Sequence, residues 1–387
     1  MKILFIARGF PSQDDPMNGN YESEQARAMA KYGHEVFYLA LPKWKSIIHV
    51  PKPELISFEV DGVKVFQATG CSLPYIPHFP HLNSVKEWAK SVYIERFYLK
   101  IVAAFGKPDL VHVHTLYVSA CCMSLKRKYR IPIVTTEHWS GINQDAKPSC
   151  AIQKQGQKVY KQADAVISVS QALANRIYNH WSVNSYVIHN LVDSRFWTPI
   201  ESLRRREGFR FIAVGRLVAI KRYDLLIRSF VNARLPESAE LFIVGSGEEM
   251  DSLNGLIRNL NAGNRVYLLG LKNKDEVAKL LSESHCFVCT SISETFGIAL
   301  IEAMSKGLPV ISVPCGGPEE FVTQETGLLT KDDKQESISE AMEVMVKSYQ
   351  KYNADKIKNY CYTQFSEDAI ASQIDRIYNL VKLNKYE

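Results

Sequence analysis

The residues best able to do chemistry lie in Ser291-Ile-Ser-Glu-Thr-Phe-Gly-Ile-Ala-Leu-Ile-Glu-Ala-Met-Ser-Lys-Gly-Leu-Pro309. Seven residues, all but Thr295 apolar or glycine, separate Glu294 from Glu302. A buried strand over His285–Thr290 is expected to run into a polar loop. A helix from about Phe296 is expected to stop at Gly307 and Pro309. Glu294 then stands just before the helix and Glu302 inside it. A glutamate in so apolar a helix must lose water or face a polar cleft. With a start near Gly297, Glu302 lies about 7.5 Å along the axis. The two carboxylates then enter one elongated site and do not converge on one atom, which suits gripping two parts of a long ligand. The helix start at Gly297 offers backbone N–H groups and the positive end of the helix dipole to phosphate. The plain alternative is one glutamate favoured by the dipole and one on the surface.

A second cluster is Val214-Gly-Arg-Leu-Val-Ala-Ile-Lys-Arg-Tyr-Asp224. A strand ends at Gly215, and Arg216 and Lys221 follow in the loop before the next helix. Arginine, by its planar fork, and lysine, as a point charge, can clamp a pyrophosphate there. Lys221 and Arg222 at a helix start oppose the dipole, and an anion between them would remove that penalty. Solvated surface cations are the alternative.

Short apolar runs alternating with amphipathic stretches must position these groups. Lys2–Ala7, Glu35–Ala40, Leu110–His114, Ile131–Thr135, Ala165–Val169 and Tyr186–Ile188 read as strands of a first series. Glu22–Tyr32 reads as a helix stopped by Gly33. Arg210–Val214, Glu240–Val244, Arg265–Leu269, His285–Thr290 and Val310–Val313 form a second series. Strand–helix alternation implies parallel sheets wrapped by helices, with ligands outside the carboxyl ends of strands. Residues 194–208, with Pro199 and the charged run Arg204-Arg-Arg-Glu207, read as the junction. Two doubly wound α/β domains with a cleft between them follow. Residues 72–104 break the pattern. Val85–Lys100 sets Trp88, Val92, Tyr93 and Phe97 among Lys86, Lys90, Arg96 and Lys100. Such a stripe either lies against a membrane surface or packs onto its own domain.

The 387 residues suit two domains, and 46% hydrophobic with 23% charged residues excludes global disorder. No apolar run reaches about 18 residues, so no transmembrane helix is expected. The start is too short for a signal-peptide core. Eight cysteines do not make a disulfide framework in a chain this long, which suggests a reducing, cytoplasmic setting. Residues 1–200 carry 23 lysines and arginines against 15 acids, and residues 201–387 carry 24 against 26. A basic first half suggests an anionic partner or simply a solubilising surface. Cys286-Phe-Val-Cys289 lies in an apolar strand with no second pair, so zinc is not expected. His112 and His114 share one strand face and are expected to be buried or hydrogen-bonded. Gly245-Ser-Gly247 lacks the full dinucleotide fingerprint, which makes a dehydrogenase a poor alternative.

Taken together and in order, these segments resemble the retaining glycosyltransferases of family 4, over nearly the whole chain. The E-x7-E signature is Glu294–Glu302, with Phe296-Gly297 inside it and Glu302-Ala-Met-x-x-Gly-x-Pro309 after it. Gly215-Arg-Leu217 with Lys221, Val244-Gly-Ser-Gly247, Cys315-Gly-Gly-Pro-Glu-Glu-Phe-Val322 and Thr326-Gly-Leu-Leu329 match further segments. Gly33-His-Glu-Val36, Asp109-Leu-Val-His-Val-His114 and Val187-Ile-His-Asn-Leu-Val-Asp193 look like first-domain landmarks. The resemblance implies the GT-B fold, two Rossmann-like parallel-sheet domains facing each other across a cleft. Residues 1–195 would bind the acceptor and 196–365 the donor, with 366–387 a helix packing back on the first domain.

The same resemblance implies roles. Arg216 and Lys221 would bind the donor pyrophosphate and stabilise the departing diphosphate. Glu302 would accept hydrogen bonds from ribose hydroxyls, and Glu294 would orient the donor sugar. Backbone around Thr295, Phe296, Gly297 and Ile298, and at Gly19, Gly215, Gly245 and Gly247, would line the donor. His138 would stand near the reacting centre. Only Gly19 remains of the paired glycines frequent in its loop. No cofactor, metal or nucleic acid is implied. The implied partners are a UDP- or GDP-sugar and a glycan or lipid-linked acceptor, in bacterial surface polysaccharide synthesis. Peripheral contact with an anionic membrane through the basic first half goes with that acceptor. A small soluble acceptor, or a non-catalytic nucleotide- or sugar-binding module, is the alternative. Leu271–Asp275 and residues 42–100 are where base and acceptor choice would reside.

Overall fold

Consecutive apolar residues bounded by turns form strands buried on both faces, as parallel sheets require. The computed structural model describes residues 1–12, 15, 18–42, 45–46, 53–69, 72–73, 83–139, 141–142, 148–198 and 208–383. Pro199, the charged run 204–207 and the histidines and prolines of 74–82 lie outside these residues. The chain divides into Met1–Asn190 with Ile370–Glu387, and Leu191–Ala369.

The first unit contains β1 (Lys2–Ala7), β2 (Glu35–Ala40), β3 (Lys45–Ser46), β4 (Glu54–Val60), β5 (Val63–Thr69), β6 (Ser72–Leu73), β7 (Leu110–His114), β8 (Ile133–Glu137), β9 (Ala165–Ser168) and β10 (Tyr186–Val187). Eight of them form one sheet in the order β10-β9-β8-β7-β1-β2-β5-β4, and β3 pairs with β6 alone. The strand order reverses at β1 and β7, so a crevice opens where the loops after these two strands diverge. An all-parallel sheet was the expectation, but β4 runs antiparallel to β5. Asp61 and Gly62 join them with φ of 49° and 79°. Two central residues at positive φ make the hairpin turn whose twist suits adjacent strands. Helices α1 (Asn20–Lys31), α2 (Asn83–Phe105), α3 (Leu116–Tyr129), α4 (Cys150–Tyr160) and α5 (Gln171–Trp181) belong to this unit.

The second unit carries β11 (Arg210–Val214), β12 (Glu240–Val244), β13 (Val266–Leu268), β14 (Cys286–Cys289), β15 (Val310–Ser312) and β16 (Gly327–Leu329). Their order is β13-β12-β11-β14-β15-β16, and neighbouring strands pair in parallel. The order reverses at β11 and β14, so the Arg216 loop and the Glu294 loop flank one crevice. Helices α6 (Tyr223–Asn232), α7 (Met250–Asn259), α8 (Lys274–Ser282), α9 (Ile298–Ser305), α10 (Gln335–Ser348) and α11 (Ala354–Phe365) complete it. Asn273 and Glu276 close a reciprocal capping box on α8, which fixes where Lys274 starts the helix.

The last helix, α12 (Glu367–Leu383), groups with the first unit from Ile370 onward. Ile370, Ile374, Tyr378 and Val381 recur at helical spacing and are buried. The Tyr378 hydroxyl lies 2.6 Å from His112 Nδ1, while Thr136 Oγ1 lies 2.7 Å from His112 Nε2. Burial, and secondarily the neighbouring His138, push the His112 pKa down to about 3.

Two outcomes are expected. Tyr378→Phe removes a buried hydrogen bond and should lower unfolding free energy by about 1–3 kcal/mol in urea titration; an unchanged midpoint would mean α12 gives His112 no hydrogen bond. His112 is neutral when folded but titrates near 6.5 when unfolded. Its contribution is therefore complete above about pH 6.5 and is lost as pH falls toward 3. Between pH 7 and 5 the wild type should lose about 2 kcal/mol more than His112→Gln. Equal losses would show that His112 is not held neutral.

Candidate active site

Loops at the carboxyl ends of four neighbouring strands are laced together by backbone hydrogen bonds. Gly215 N donates to Val244 O at 3.0 Å and Leu217 N to Ser246 O at 2.9 Å. Ile292 N donates to Ile220 O, and Glu294 N to Cys315 O, both at 2.8 Å. A Cβ on Gly245 would come within 1.8 Å of Gly215 O, and one on Gly247 within 2.2 Å of Leu217 O. Only glycine lets these backbones touch. That contact sets where Gly215 and Arg216 leave the sheet, and Arg216 is exposed.

Lys221 closes the short turn Ala219–Lys221, and its Nζ lies 2.5 Å from Glu294 Oε1. Ser291 Oγ donates to the same carboxylate oxygen at 2.7 Å. Thr290 Oγ1 donates to Lys221 O at 3.0 Å and ties the two loops from below. Burial opposes the Lys221 charge, but the Glu294 carboxylate outweighs it and holds the ammonium pKa above its ordinary value. Arg222, at φ 52°, pairs with Asp333. The anions that two cations at a helix start require are thus supplied by the chain itself.

Helix α9 begins at Ile298, two residues later than the sequence suggests, because Gly297 takes φ 100° and caps it without a side-chain hydrogen bond. Phe296 turns inward, its ring 5.2 Å from Phe321 and 5.6 Å from Phe365. Its side chain is core, so backbone is what it offers a ligand. Thr295 and Ile298 are half-buried beside it.

Glu302 meets a different set of groups. Asp193 is buried and accepts from Arg195 N at 3.0 Å, Arg195 Nε at 2.9 Å, Arg195 Nη2 at 2.8 Å and Lys274 Nζ at 3.2 Å. Burial raises the Glu302 pKa, with Lys274 opposing and Asp193 adding to the rise. Burial likewise lowers that of Lys274, against the pull of Glu302. The signature glutamates therefore stand in separate electrostatic settings on one helix start.

In the first unit, His138 follows β8. Its Nε2 lies 2.9 Å from His114 Nδ1, and the rings of His112, His114 and His138 stack at 4.5 and 5.2 Å. Burial, then Arg8, push the His138 pKa down to about 3. The buried Glu137 carboxylate accepts from Leu116 N at 2.9 Å, His138 N at 3.0 Å, Trp139 N at 2.8 Å and Tyr160 Oη at 2.7 Å. Burial raises its pKa, against these four bonds. Gly19 stands at φ 72°, and a Cβ there would come within 2.1 Å of Gly9 O. Its loop folds back on its own backbone.

The structure thus brings Gly215, Lys221, Gly245, Gly247, Glu294 and Gly297 to one end of one sheet, with Arg216 in the same loop. Glu302 is set apart along α9, and Gly19 and His138 lie in the first unit. Sequence reading gave no individual role to Glu137, Arg8, Asp193, Arg195 or Lys274, although the segments Val187–Asp193 and Leu271–Asp275 contain Asp193 and Lys274. Glu137 had a signal, an acid closing an apolar strand. Lys274 had none linking it to Glu302. Cys286 and Cys289 are free and buried in β14. Among the described residues no three His, Cys, Asp or Glu side chains group to hold a metal ion, and no helix is long and apolar enough to cross a membrane.

Comparison with known proteins bears on the whole arrangement. Residues 19–196 match the family described as Glycosyltransferase Family 4, and residues 198–364 match Glycosyl transferases group 1. N-acetyl-alpha-D-glucosaminyl L-malate synthase of Bacillus anthracis is 28% identical over 286 residues, 70% of this chain and 74% of that protein. The N-acetylgalactosamine-N,N'-diacetylbacillosaminyl-diphospho-undecaprenol 4-alpha-N-acetylgalactosaminyltransferase of Campylobacter jejuni is 27% identical over 225 residues, 55% of this chain and 60% of that protein. Sucrose-phosphate synthase from Thermosynechococcus elongatus superposes with a TM-score of 0.79 over 99% of both chains at 20% identity, which speaks for the fold. With both families matched in sequence order and the fold shared end to end, the chain belongs to the family 4-type GT-B glycosyltransferases.

Proposed function

We propose that this glycosyltransferase moves a sugar, with retention of configuration, from a UDP- or GDP-sugar to a hydroxyl of a glycan or lipid-linked acceptor in bacterial surface polysaccharide synthesis. The observation that carries the reading is the Lys221–Glu294 pair at the sheet switch point, 2.5 Å apart and largely removed from water. A donor diphosphate would take over the Lys221 ammonium and recruit Arg216. Glu294, released from Lys221, would accept hydrogen bonds from the donor sugar's hydroxyls. The bond from sugar C1 to the phosphate oxygen breaks, the acceptor oxygen bonds to C1 from the same face, and its proton passes to the leaving diphosphate. Two cations stabilise the charge on that leaving group as it develops, and no metal or cofactor is assigned to it. Glu302 would hold the ribose hydroxyls one helical turn and more away. His138, kept neutral, would stand at the acceptor side.

The lipid-linked acceptor draws support from the Campylobacter relative, whose name contains a diphospho-undecaprenol. It would place the enzyme at the cytoplasmic face of a membrane, held peripherally by its basic first 200 residues. The Bacillus relative is named for L-malate, which favours a small soluble acceptor as the second reading. Activity on soluble hydroxy acids or sugars without lipid would select the second reading.

Purified enzyme incubated with a panel of UDP- and GDP-sugars should release diphosphate when given acceptor. Lys221→Ala and Glu294→Ala should each lower kcat by about a hundredfold or more. Glu302→Gln should act mainly on the donor KM, by roughly tenfold, if it only binds ribose. Wild-type rates in both Lys221→Ala and Glu294→Ala would overturn the site.

A further inference from the structure

Helix α2 buries Ile94, Phe97, Tyr98 and Ile101 against its own unit, so the stripe seen in the sequence is in part core. Its other side is not. Trp88 is 66% exposed, Val92 46% and Leu99 45%. At about 100° per residue, Trp88, Val92, Leu99 and the exposed Ala103 fall within an arc of about 60°. Arg96 and Lys100 continue the same face and are exposed, with no ion pair among the described residues.

The helix's acids are disposed differently. Glu87 is tied inward to Lys158 and Gln155 on α4. Glu95, beside the stripe, is bound to Lys128 Nζ at 2.5 Å and Tyr129 Oη at 2.7 Å on α3. Those bonds hold the Glu95 pKa below the usual range. The helix thus spends its negative charge on its own unit and turns outward a large aromatic, two aliphatic side chains and two cations. A solubilising face would be polar, and the side-chain charges that this face turns outward, Arg96 and Lys100, are both positive. Apolar side chains flanked by outward cations fit the boundary between anionic headgroups and acyl chains.

We propose that this face of α2 docks the first unit on an anionic lipid bilayer, with Trp88, Val92 and Leu99 entering the interface and Arg96 and Lys100 pairing with lipid phosphates. The proposal rests on the lipid-linked acceptor reading, because a membrane-held acceptor is then met by an enzyme already on the surface.

Co-sedimentation with phosphatidylcholine vesicles, with and without one third phosphatidylglycerol, tests it without donor or acceptor. The full-length protein should bind the anionic vesicles, weakly or not at all the neutral ones, and binding should fall as salt rises. Arg96→Gln and Lys100→Gln should each weaken it about fivefold. Trp88→Ser with Leu99→Ser should weaken it about tenfold or more. Donor hydrolysis or transfer to a soluble acceptor should be unchanged in all of these exposed-site variants. Failure of the wild type to bind anionic vesicles, or equal binding by the variants, would overturn the proposal. So would a dimer in gel filtration that Trp88→Ser dissociates without altering vesicle binding, since the face would then belong to a second copy of this chain. Loss of diphosphate release, measured separately, would sink the transferase reading and leave vesicle binding as it stands.

Discussion

Lys221 and Glu294 meet at 2.5 Å with little solvent around either. Withdrawing two such charges from water costs several kcal/mol per ion, and attraction recovers that only if the remaining protons and lone pairs find partners. Ser291 donates to the same carboxylate oxygen that Lys221 meets and so supplies one of those partners. Holding this pair requires the strand-end loops to keep their register. The glycine contacts of Gly245 and Gly247 and the bonds from Ile292, Thr290 and Glu294 do that from three sides. Much of the second unit's loop geometry follows from keeping two opposite charges together at the carboxyl ends of its two central strands. In the proposed reading, a donor phosphate would bring to Lys221 the charge that Glu294 gives up.

The first unit solves the opposite problem. Around the column of histidines its strand ends hold neutral rings, with the Arg8–Glu22 pair after β1 nearby. Three imidazoles stack in a column against Phe5, and burial keeps them neutral. Glu137 is a buried carboxylate beside them. It is fully buried, yet two backbone N–H groups after β8, one at the start of α3 and the Tyr160 hydroxyl satisfy it. One carboxylate thereby fixes the backbone from which His138 projects. A neutral histidine is suited to hydrogen-bonding a hydroxyl and unsuited to binding phosphate.

Most strands were readable because parallel strands buried on both faces leave unbroken apolar runs, as in Ile3–Ala7 and Phe211–Val214. The β4–β5 hairpin was not read, although Asp61-Gly62 is a strong local turn signal, because β4 is mostly exposed and its apolar residues Leu55, Ile56, Phe58 and Val60 do not alternate strictly with polar ones. Lys221, Glu294 and Gly297 were legible from residue type and spacing alone, since each sits at a strand end or helix start. Their pairing was not, because Lys221 and Glu294 lie 73 residues apart and meet only through the β11–β14 register. The same holds for Asp193, Arg195 and Lys274. Local sequence announces the capping box that starts α8, but nothing in it says that the first residue of that helix faces the middle of α9.

The separation of the two signature glutamates has a physical consequence of its own. Glu294 lies before the helix, in a loop where a lysine can reach it. Glu302 lies more than one turn inside an eight-residue helix whose other residues are largely apolar. Burial therefore acts on the two differently. Glu294 keeps a formal counter-ion at contact distance, whereas Glu302 shares Lys274 and Arg195 with Asp193 and is driven toward the neutral form. A carboxylate with a contact cation is ready to exchange that cation when a stronger anion arrives. A carboxyl group near neutrality with diffuse counter-charge gains more from hydroxyl hydrogen bonds, which supply what the missing water would have supplied. The seven-residue spacer thus places two chemically alike side chains in unlike settings, one against the Lys221 ammonium and one buried beside Lys274 and Arg195.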